Sequence, residues 1–210
     1  MTVVKEGKPR RCVVVGKTNV GKTLFALNFA ESLGAESVVL RREDSGGGGY
    51  RISYSPEGAR RELVSSEPHR TLSPQAIVVE IRAGKVRREV TVVDTPGLGD
   101  HIDERPEVRQ GMAAALRVVY DADLVLHLVD ASQVGKATAK EAPGEVDYQL
   151  ARFSRFKPGY VILANKMDLS ASEAGLKTLR QLFPGEYIIP ISALRSSGFD
   201  EVKAFVRRHL

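Results

Sequence analysis

Apolar runs alternate along the chain with segments in which apolar residues recur every three or four positions. Short β-rich runs occur at 12–15, 77–81, 89–93, 124–129, 160–164 and 187–191. Helical spacing first appears directly after the glycine-rich loop that follows the run 12–15. One face of this predicted helix carries Ala26, Phe29, Ala30 and Leu33. Alternation of this kind predicts helices layered on a mostly parallel sheet. We therefore predict a three-layer α/β fold with six strands and about five helices.

The later helices follow the same spacing. A helix N-terminus is predicted at Ser170, because Glu173 three residues on completes a capping box. The last helix is predicted to begin near Ser197. The apolar faces of the four later helices comprise Val108, Met112, Leu116 and Val119; Val146, Leu150 and Phe153; Leu176, Leu179 and Leu182; and Phe199, Val202 and Val206.

Two features interrupt the regular pattern. The runs at 77–81 and 89–93 are separated by turn-like residues 83–85, which predicts one antiparallel strand in an otherwise parallel sheet. The stretch 41–73 contains four consecutive glycines and several prolines, and it has no sustained periodicity. We predict that it is a mobile loop in which the arginines at positions 41, 42, 51, 60, 61 and 70 form a solvated basic surface.

Composition limits the class of protein. With 210 residues and 42% hydrophobic content, the chain is predicted to form one domain, residues 1–210. The lack of a long apolar run and the charged first eleven residues favour a cytoplasmic protein without a transmembrane segment. A single cysteine, Cys12, excludes an intrachain disulfide, and its apolar surroundings predict a buried thiol. The net charge of +5 favours contact with polyanions such as RNA or acidic lipid, without identifying one.

A glycine-rich loop between the first strand and the first helix carries the clearest chemistry. Residues 16–23, GKTNVGKT, fit the phosphate-loop pattern G-x-x-x-x-G-K-[ST] in the strand–loop–helix context that it requires. Backbone N–H groups of such a loop converge on phosphates, Lys22 can bridge the β and γ phosphates, and the Thr23 hydroxyl can bind Mg²⁺. The loop alone does not separate ATP from GTP. Its predicted nucleotide-binding residues are Gly16, Asn19, Val20, Gly21, Lys22, Thr23 and Leu24.

Two further motifs make that separation. Residues 165–168, NKMD, follow a strand, and residues 192–194, SAL, end the last one. They resemble the N-K-x-D and S-A-x motifs of the translation-factor class of P-loop GTPases, which implies a Ras-like fold. The resemblance implies that the Asp168 carboxylate accepts guanine N1–H and N2–H, donors that adenine lacks. It also implies that Lys166 covers the base, Asn165 braces the loop and the Ala193 N–H meets guanine O6. The implied base-binding set is Asn165, Lys166, Asp168, Ser192, Ala193 and Leu194.

The γ-phosphate side is predicted from residues 94–97, DTPG, which match the D-x-x-G motif of the same class. The resemblance implies that Asp94 holds Mg²⁺ through water and that the Gly97 N–H meets the γ-phosphate. Loss of that phosphate would then release the segment 98–109, which is how a hydrolysis event becomes a change of shape.

The Mg²⁺ ligand from switch I is harder to identify. The switch I region is predicted at about 41–75, and no short motif within it indicates which residue binds the cation. Thr71 is the predicted ligand, since it lies just ahead of the strand at 77 and at the usual distance before Asp94. Ser66 and Ser73 are the alternatives. The predicted Mg²⁺ ligands are therefore Thr23, Thr71 and Asp94.

Hydrolysis itself departs from the Ras-like pattern. Where Ras-like enzymes carry the glutamine that orients the attacking water, this chain has Leu98. The chain thereby resembles the TrmE–Era–septin-like branch, in which another group, a partner or a cation positions the water. Asn19 matches the asparagine with which several members of that branch hold K⁺. K⁺-stimulated hydrolysis, with Lys22, Asn19 and Thr71 as catalytic residues, is the resulting hypothesis.

The predicted function is a slow GTPase that acts as a molecular switch and binds GTP and GDP. The alternative is a nucleotide-binding interaction module with negligible hydrolysis, against which the intact Lys22, Thr23 and Asp94 argue. An ATPase of the partition type is disfavoured by residues 165–168. Ribosomal RNA or another polyanion, an effector protein and a nucleotide-dependent homodimer remain open as partners. His127, within a predicted strand, is interpreted as an interior histidine rather than a catalytic base.

Overall fold

The computed structural model describes the backbone of residues 11–35, 37–43, 49–64, 75–83, 86–94, 116–117, 119–134 and 143–209. Among these residues it forms one sheet with helices, which confirms the predicted α/β class. No helix in the described part of the chain has the length and apolar character needed to cross a membrane.

The described residues form eight strands and six helices. The strands are β1 (Arg11–Val15), β2 (Val38–Glu43), β3 (Gly49–Tyr54), β4 (Gln75–Ala83), β5 (Val86–Asp94), β6 (Leu124–Asp130), β7 (Tyr160–Asn165) and β8 (Ile188–Pro190). The helices are α1 (Lys22–Ser32), α2 (Pro56–Val64), α3 (Ala131–Val134), α4 (Glu145–Ser154), α5 (Ser172–Leu182) and α6 (Phe199–His209). Residues 116–117 and 119–121 are also helical.

The strands form a single sheet in the order β3-β2-β4-β5-β1-β6-β7-β8. Neighbours from β5 to β8 are parallel, whereas β4 pairs antiparallel with β5. The hairpin predicted from the turn at 83–85 is therefore confirmed. The predicted count of six strands is wrong, because β2 and β3 extend the sheet beyond β4, again with antiparallel pairing.

Strand β3 and α2 lie in the stretch 41–73 that was predicted to be an irregular loop, and the second half of β2 extends into it. Strand β2 pairs with β4 through Val39↔Val78 and Leu40↔Ile77, and with β3 along its whole length. Such ladders join backbone groups and depend on the tertiary neighbour more than on local pattern, so the weak periodicity gave no sign of them. The arginines at 41, 42 and 51 lie on β2 and β3, and those at 60 and 61 on α2, rather than in a loop.

The sheet separates two hydrophobic cores because successive residues of β1 point to opposite faces. Cys12 and Val14 pack with α1 and α6, whereas Val13 and Val15 pack with α4 and α5. On the first face the rings of Phe25, Phe29 and Phe199 lie 5.2–5.7 Å apart. The helices therefore cover both faces, and the predicted buried thiol of Cys12 is confirmed; burial raises its pKa above the ordinary range.

Local helix signals were partly misleading. Helix α5 begins at Ser172 with Ala171 as its N-cap and no side-chain capping bond, so the capping box predicted at Ser170 is wrong. Ser172 instead donates its hydroxyl to the Lys166 carbonyl at 2.6 Å. Phe153 and Leu182, predicted on apolar faces, are each 41% exposed.

Candidate nucleotide-binding site

The carboxyl ends of the central parallel strands meet at one edge of the sheet, where ligands of open α/β sheets usually bind. Strand β1 leads there into the phosphate loop, and Asp130 at the end of β6 is in register with Asn165 at the end of β7. Because Val14 is in register with Val92, Asp94 at the end of β5 lies level with Gly16. The fold therefore gathers the predicted motifs at this edge.

The phosphate loop has a backbone that its two glycines require. Gly16 has φ +146°, and a Cβ there would lie 2.3 Å from the Leu128 carbonyl oxygen. Gly21 caps α1 with φ +98°, and a Cβ there would lie 2.6 Å from Asn165 Nδ2. Asn19 is also left-handed, at φ 63°, and is exposed. An L side chain at either glycine would therefore displace the strand or the bracing side chain.

Lys22 folds back over the phosphate loop from the first position of α1. Its Nζ donates to the carbonyls of Gly16 at 3.0 Å and Lys17 at 2.7 Å, and the residue is only 4% exposed. Thr23 and Leu24 follow on the same turn and are partly exposed. The ammonium is thus held at the mouth of the loop, where a phosphate chain would be cradled.

Asn165 links the phosphate loop to the loop that follows β8. Its Nδ2 donates to the Val20 carbonyl at 2.7 Å, and its Oδ1 accepts from the Ala193 N–H at 2.9 Å. The residue is 2% exposed. One buried carboxamide therefore holds both loops, as expected of a bracing residue. The Ala193 N–H that is predicted to meet guanine O6 would have to be shared with this oxygen or released by it.

Asp168 is oriented by the last predicted motif. Its Oδ1 accepts from the Ser192 hydroxyl at 2.5 Å, and the Ser192 oxygen accepts in turn from the Arg195 N–H at 3.1 Å. Ser192 is 1% exposed, whereas Leu194 is 66% exposed. The structure thus brings Asn165, Asp168, Ser192 and Ala193 together and leaves the Leu194 side chain at the surface.

Asp130 is a site residue that sequence reasoning missed. Its Oδ2 lies 2.6 Å from Lys166 Nζ, and its Oδ1 accepts from the Ser132 N–H at 3.0 Å and hydroxyl at 2.6 Å. Lys166 has a left-handed backbone, with φ 69°. Both residues line a cavity of about 250 Å³ beside Lys17, Thr18, Asn19, Val20, Val129, Gln133, Pro143 and Asp147. An aspartate that ends a buried strand is the signal that could have identified it.

Asn28 and Arg60 were also missed. Asn28, 7% exposed on α1, donates its Nδ2 to the Ala193 carbonyl at 2.6 Å. Its Oδ1 accepts from the Arg60 guanidinium, which also pairs with Glu31 at 2.7 Å. The available sequence signal for Asn28 was an amide between the apolar residues Leu27 and Phe29 within a predicted helix.

His127 is a fully buried histidine, as predicted. Its Nε2 lies 3.1 Å from Asp147 Oδ1 and its Nδ1 lies 2.9 Å from the Tyr160 hydroxyl. Asp147 Oδ2 accepts from the Gly144 N–H at 3.0 Å, which anchors the start of α4. Burial, and then the nearby Glu186 and Asp147 carboxylates, raise the pKa of Tyr160 above its ordinary range. The network is structural and connects the core to α4.

The predicted γ-phosphate residues are described only in part. Asp94 is described as backbone at the end of β5, whereas Thr71, Gly97 and Leu98 lie outside the described residues, as do Ser66 and Ser73. The described part fits Mg²⁺, because Thr23 and Asp94 are residue types with the oxygen ligands that this cation prefers, and their backbone positions lie at the phosphate-loop edge.

A phosphate loop, a bracing asparagine and an oriented aspartate on this sheet define a P-loop GTPase domain. The sequence profile of the family described as "50S ribosome-binding GTPase" matches residues 56–166, more than half of the chain. The chain therefore belongs to this family. The matched range includes β5 to β7 and Asn165, whereas the phosphate loop precedes it.

Relatives and solved structures agree with this class. GTPase Obg of Syntrophotalea carbinolica is 33% identical over 168 residues, which is 77% of this chain and 45% of that protein. The chain spans less than half the length of the curated Obg relatives to which it is similar. A crystal structure of Aquifex aeolicus Era bound to GDP.AlF4- superposes with a TM-score of 0.62 at 18% identity, over 97% of this chain and 57% of that one. A structure of Era in complex with MgGDPNP and part of 16S ribosomal RNA superposes with a TM-score of 0.59 at 20% identity, over 97% of this chain and 57% of that one. These likenesses confirm the Ras-like GTPase fold.

Proposed function

We propose that this domain binds GTP and GDP and hydrolyses GTP slowly as a molecular switch in the cytoplasm. The observation that carries the proposal is the Asn165 carboxamide, which joins the phosphate loop at Val20 to the loop at Ala193. A ligand with phosphates at one end and a base at the other would contact both loops at once. Single-domain organisation over residues 1–210 is part of the same proposal.

Base selectivity is proposed to come from Asp168, Lys166 and Ala193. The Asp168 carboxylate would accept guanine N1–H and N2–H, and an adenine would leave this partly buried carboxylate without those donors. Lys166, whose ammonium is held by Asp130 at 2.6 Å, would lay its aliphatic stem along the base. Competition between GTP and ATP for a fluorescent guanine nucleotide tests this, and preferential displacement by ATP would contradict it.

Phosphate binding is proposed for the N–H groups of residues 16–24, with Lys22 on the β and γ phosphates. Thr23, Asp94 and Thr71 would hold Mg²⁺, and Gly97 would meet the γ-phosphate. When bound, the metal supplies positive charge beside the phosphates. Removing Mg²⁺ with EDTA is expected to speed GDP release, and a Thr23→Ala variant should lose most of that response while the unfolding midpoint changes little.

Slow hydrolysis is proposed from Leu98, which has no group that can orient water. Asn19, exposed on the phosphate loop, could help to hold K⁺ where its charge would offset charge developing on the phosphates. Single-turnover hydrolysis in KCl should then exceed that in NaCl at equal ionic strength, and Asn19→Ala should remove the difference. Equal rates in both salts would contradict the K⁺ hypothesis. No turnover in either salt, with tight GTP binding, would support the alternative of an interaction module with negligible hydrolysis.

A partner is proposed from a surface of exposed aromatic and basic side chains, which we term the aromatic-basic surface. Tyr120, Phe153 and Phe156 are 72%, 41% and 84% exposed. Arg155 lies over the Phe156 ring at 5.6 Å and Lys157 over the Tyr120 ring at 5.9 Å. The surface comprises the exposed residues Arg117, Tyr120, Arg152, Phe153, Arg155 and Phe156 and the partly buried Lys157, whose Nζ also donates to the carbonyls of Tyr120 and Ala122.

Single-stranded RNA is the polyanion that fits this surface best. Bases stack on exposed aromatic rings, and neighbouring cations follow the phosphate backbone. Tyr120 and Phe153 line a groove of about 430 Å³ with Leu116, Arg117 and Asp121, and Asp121 is the acidic member of that lining. The family description names the 50S ribosome, and the Era neighbour was solved with ribosomal RNA, which agrees with an RNA partner.

Binding of a labelled ten-nucleotide oligouridine tests the RNA proposal. Phe156→Leu and Arg155→Gln are each expected to weaken binding about tenfold, because stacking and phosphate contacts contribute on that scale. Arg180→Gln, an exposed arginine on α5, is the matched control and should change binding less than twofold. Equal losses in Arg155→Gln and Arg180→Gln, with no loss in Phe156→Leu, would indicate binding by charge alone and would contradict stacking at this surface. A concentration-dependent dimer that Phe156→Leu disrupts would instead favour a homodimer or an effector protein at this surface.

A further inference from the structure

The guanine-reading loop is joined to α2 through one buried side chain. Asn28 donates its Nδ2 to the Ala193 carbonyl at 2.6 Å, although the two residues are 165 positions apart. Its Oδ1 accepts from Arg60 at 2.5 Å, and Arg60 also contacts Glu31 at 2.7 Å. A continuous chain of polar contacts therefore runs from α2, across α1, to the backbone of Ala193.

The chemistry of the two partners fixes the orientation of the Asn28 carboxamide. A backbone carbonyl only accepts hydrogen bonds, and a guanidinium only donates them. The Ala193 carbonyl therefore selects the NH₂ end of the amide, and Arg60 selects the oxygen end. Without Arg60, the amide could turn over and place its oxygen against the Ala193 carbonyl, where two acceptors would face each other.

Arg60 can act on Asn28 without being part of the buried core. The Arg60 side chain is 39% exposed and that of Glu31 is 51% exposed, whereas Asn28 is 7% exposed. Substitution at Arg60 should therefore leave the core packing of α1 intact. The bond from Arg60 connects a partly exposed helix to a buried one, so a change on the surface can reach the interior.

We propose that Arg60 is a positioning residue for the guanine base and sets how long the nucleotide stays bound. By orienting Asn28, it holds the Ala193 backbone so that the Ala193 N–H, which also donates to Asn165 Oδ1, can meet guanine O6. The inference rests on the proposed guanine site.

Dissociation of a fluorescent GDP analogue measures this effect directly. Arg60→Met removes the guanidinium and keeps a long aliphatic chain, and it is expected to speed GDP release about threefold to tenfold, the scale of one hydrogen bond. Arg180→Met on α5 is the matched control and should stay within twofold of the unchanged protein. Glu31→Gln, which keeps Arg60 but weakens its anchor, should accelerate release less than Arg60→Met and serves if that variant folds poorly.

A second nucleotide separates positioning from general loosening. In 6-thio-GDP sulfur replaces O6 and is a poor acceptor, while the N1–H and N2–H donors remain. The unchanged protein should release this analogue faster than GDP. In Arg60→Met the ratio of the two release rates should be closer to one. Equal acceleration of both nucleotides, or no acceleration of either, would overturn the inference. Failure of the unchanged protein to bind GDP would instead overturn the proposed guanine site.

Discussion

The two ends of the sheet hold their structure by different means. At the β7–β8 end, side chains from short motifs bond to loop backbone, as Asn165 does to Val20 and Ala193. At the β3–β2 end, the strands are held by backbone ladders with their neighbours. The first kind of contact depends on residue identity and the second on the neighbouring strand. Short motifs therefore identified the residues that come together at the β7–β8 end, whereas they gave little information about the β3–β2 end.

The largest expected effect breaks the brace at the nucleotide end. Asn165→Ala removes both hydrogen bonds of the carboxamide. The buried Val20 carbonyl and Ala193 N–H then lose their hydrogen bonds to this side chain. We expect a loss of about 3 kcal/mol, or roughly 100-fold in GDP affinity. Titration with a fluorescent GDP measures it. Affinity within threefold of the unchanged protein would show that the two loops do not depend on this residue.

The next effect disturbs the other end. Val39→Pro removes a donor from β2 where Val39 is in register with Val78 of β4, and we expect the free energy of unfolding to fall by about 2 kcal/mol. Denaturation in urea measures it, with Val39→Ala as the control for lost side-chain volume. If the ladder is independent of the site, GDP affinity should fall far less than in Asn165→Ala. A loss of GDP affinity as large as in Asn165→Ala would show that nucleotide binding depends equally on both ends of the sheet.

A smaller effect tests a single contact at the nucleotide-binding site, the ion pair between Lys166 and Asp130. Asp130→Asn removes the charge 2.6 Å from Lys166 Nζ but keeps an oxygen for the Ser132 N–H. Because the Lys166 side chain is 32% exposed, solvent screens the ion pair. We therefore expect the binding free energy of GDP to weaken by about 1 kcal/mol, a loss of roughly fivefold in affinity. Isothermal titration at two salt concentrations measures it, and the difference should shrink at high salt.

The smallest expected effect concerns Cys12 in the strand between the two ends. Burial raises the pKa of its thiol, so the thiol stays protonated as the pH rises through the range in which an exposed cysteine ionises. We expect no measurable reaction of the native protein with a thiol reagent at pH 8, and complete reaction after unfolding. Rapid labelling of the native protein would indicate that β1 opens readily.

Several features could be predicted because they depend on residues close together in the chain. The phosphate loop follows from residues 16–23, whose glycines adopt φ values that other residues avoid. The paired strands β4 and β5 follow from a short turn between two apolar runs. Local spacing also placed α1, α4, α5 and α6 within a few residues. Ser170 shows the limit of local signals, since the fold begins α5 at Ser172 instead.

By itself, the sequence determined the layered α/β class and the motifs that are proposed to bind phosphate and guanine, because those depend on side-chain type at fixed local spacing. Only the tertiary structure decided that β2 and β3 join the sheet and that Asn28, Arg60 and Asp130 support the site. The Asn28–Ala193 bond spans 165 positions and the Asn165–Val20 bond 145. The physical reason is that such bonds form only between groups that the folded sheet has already brought within about 3 Å.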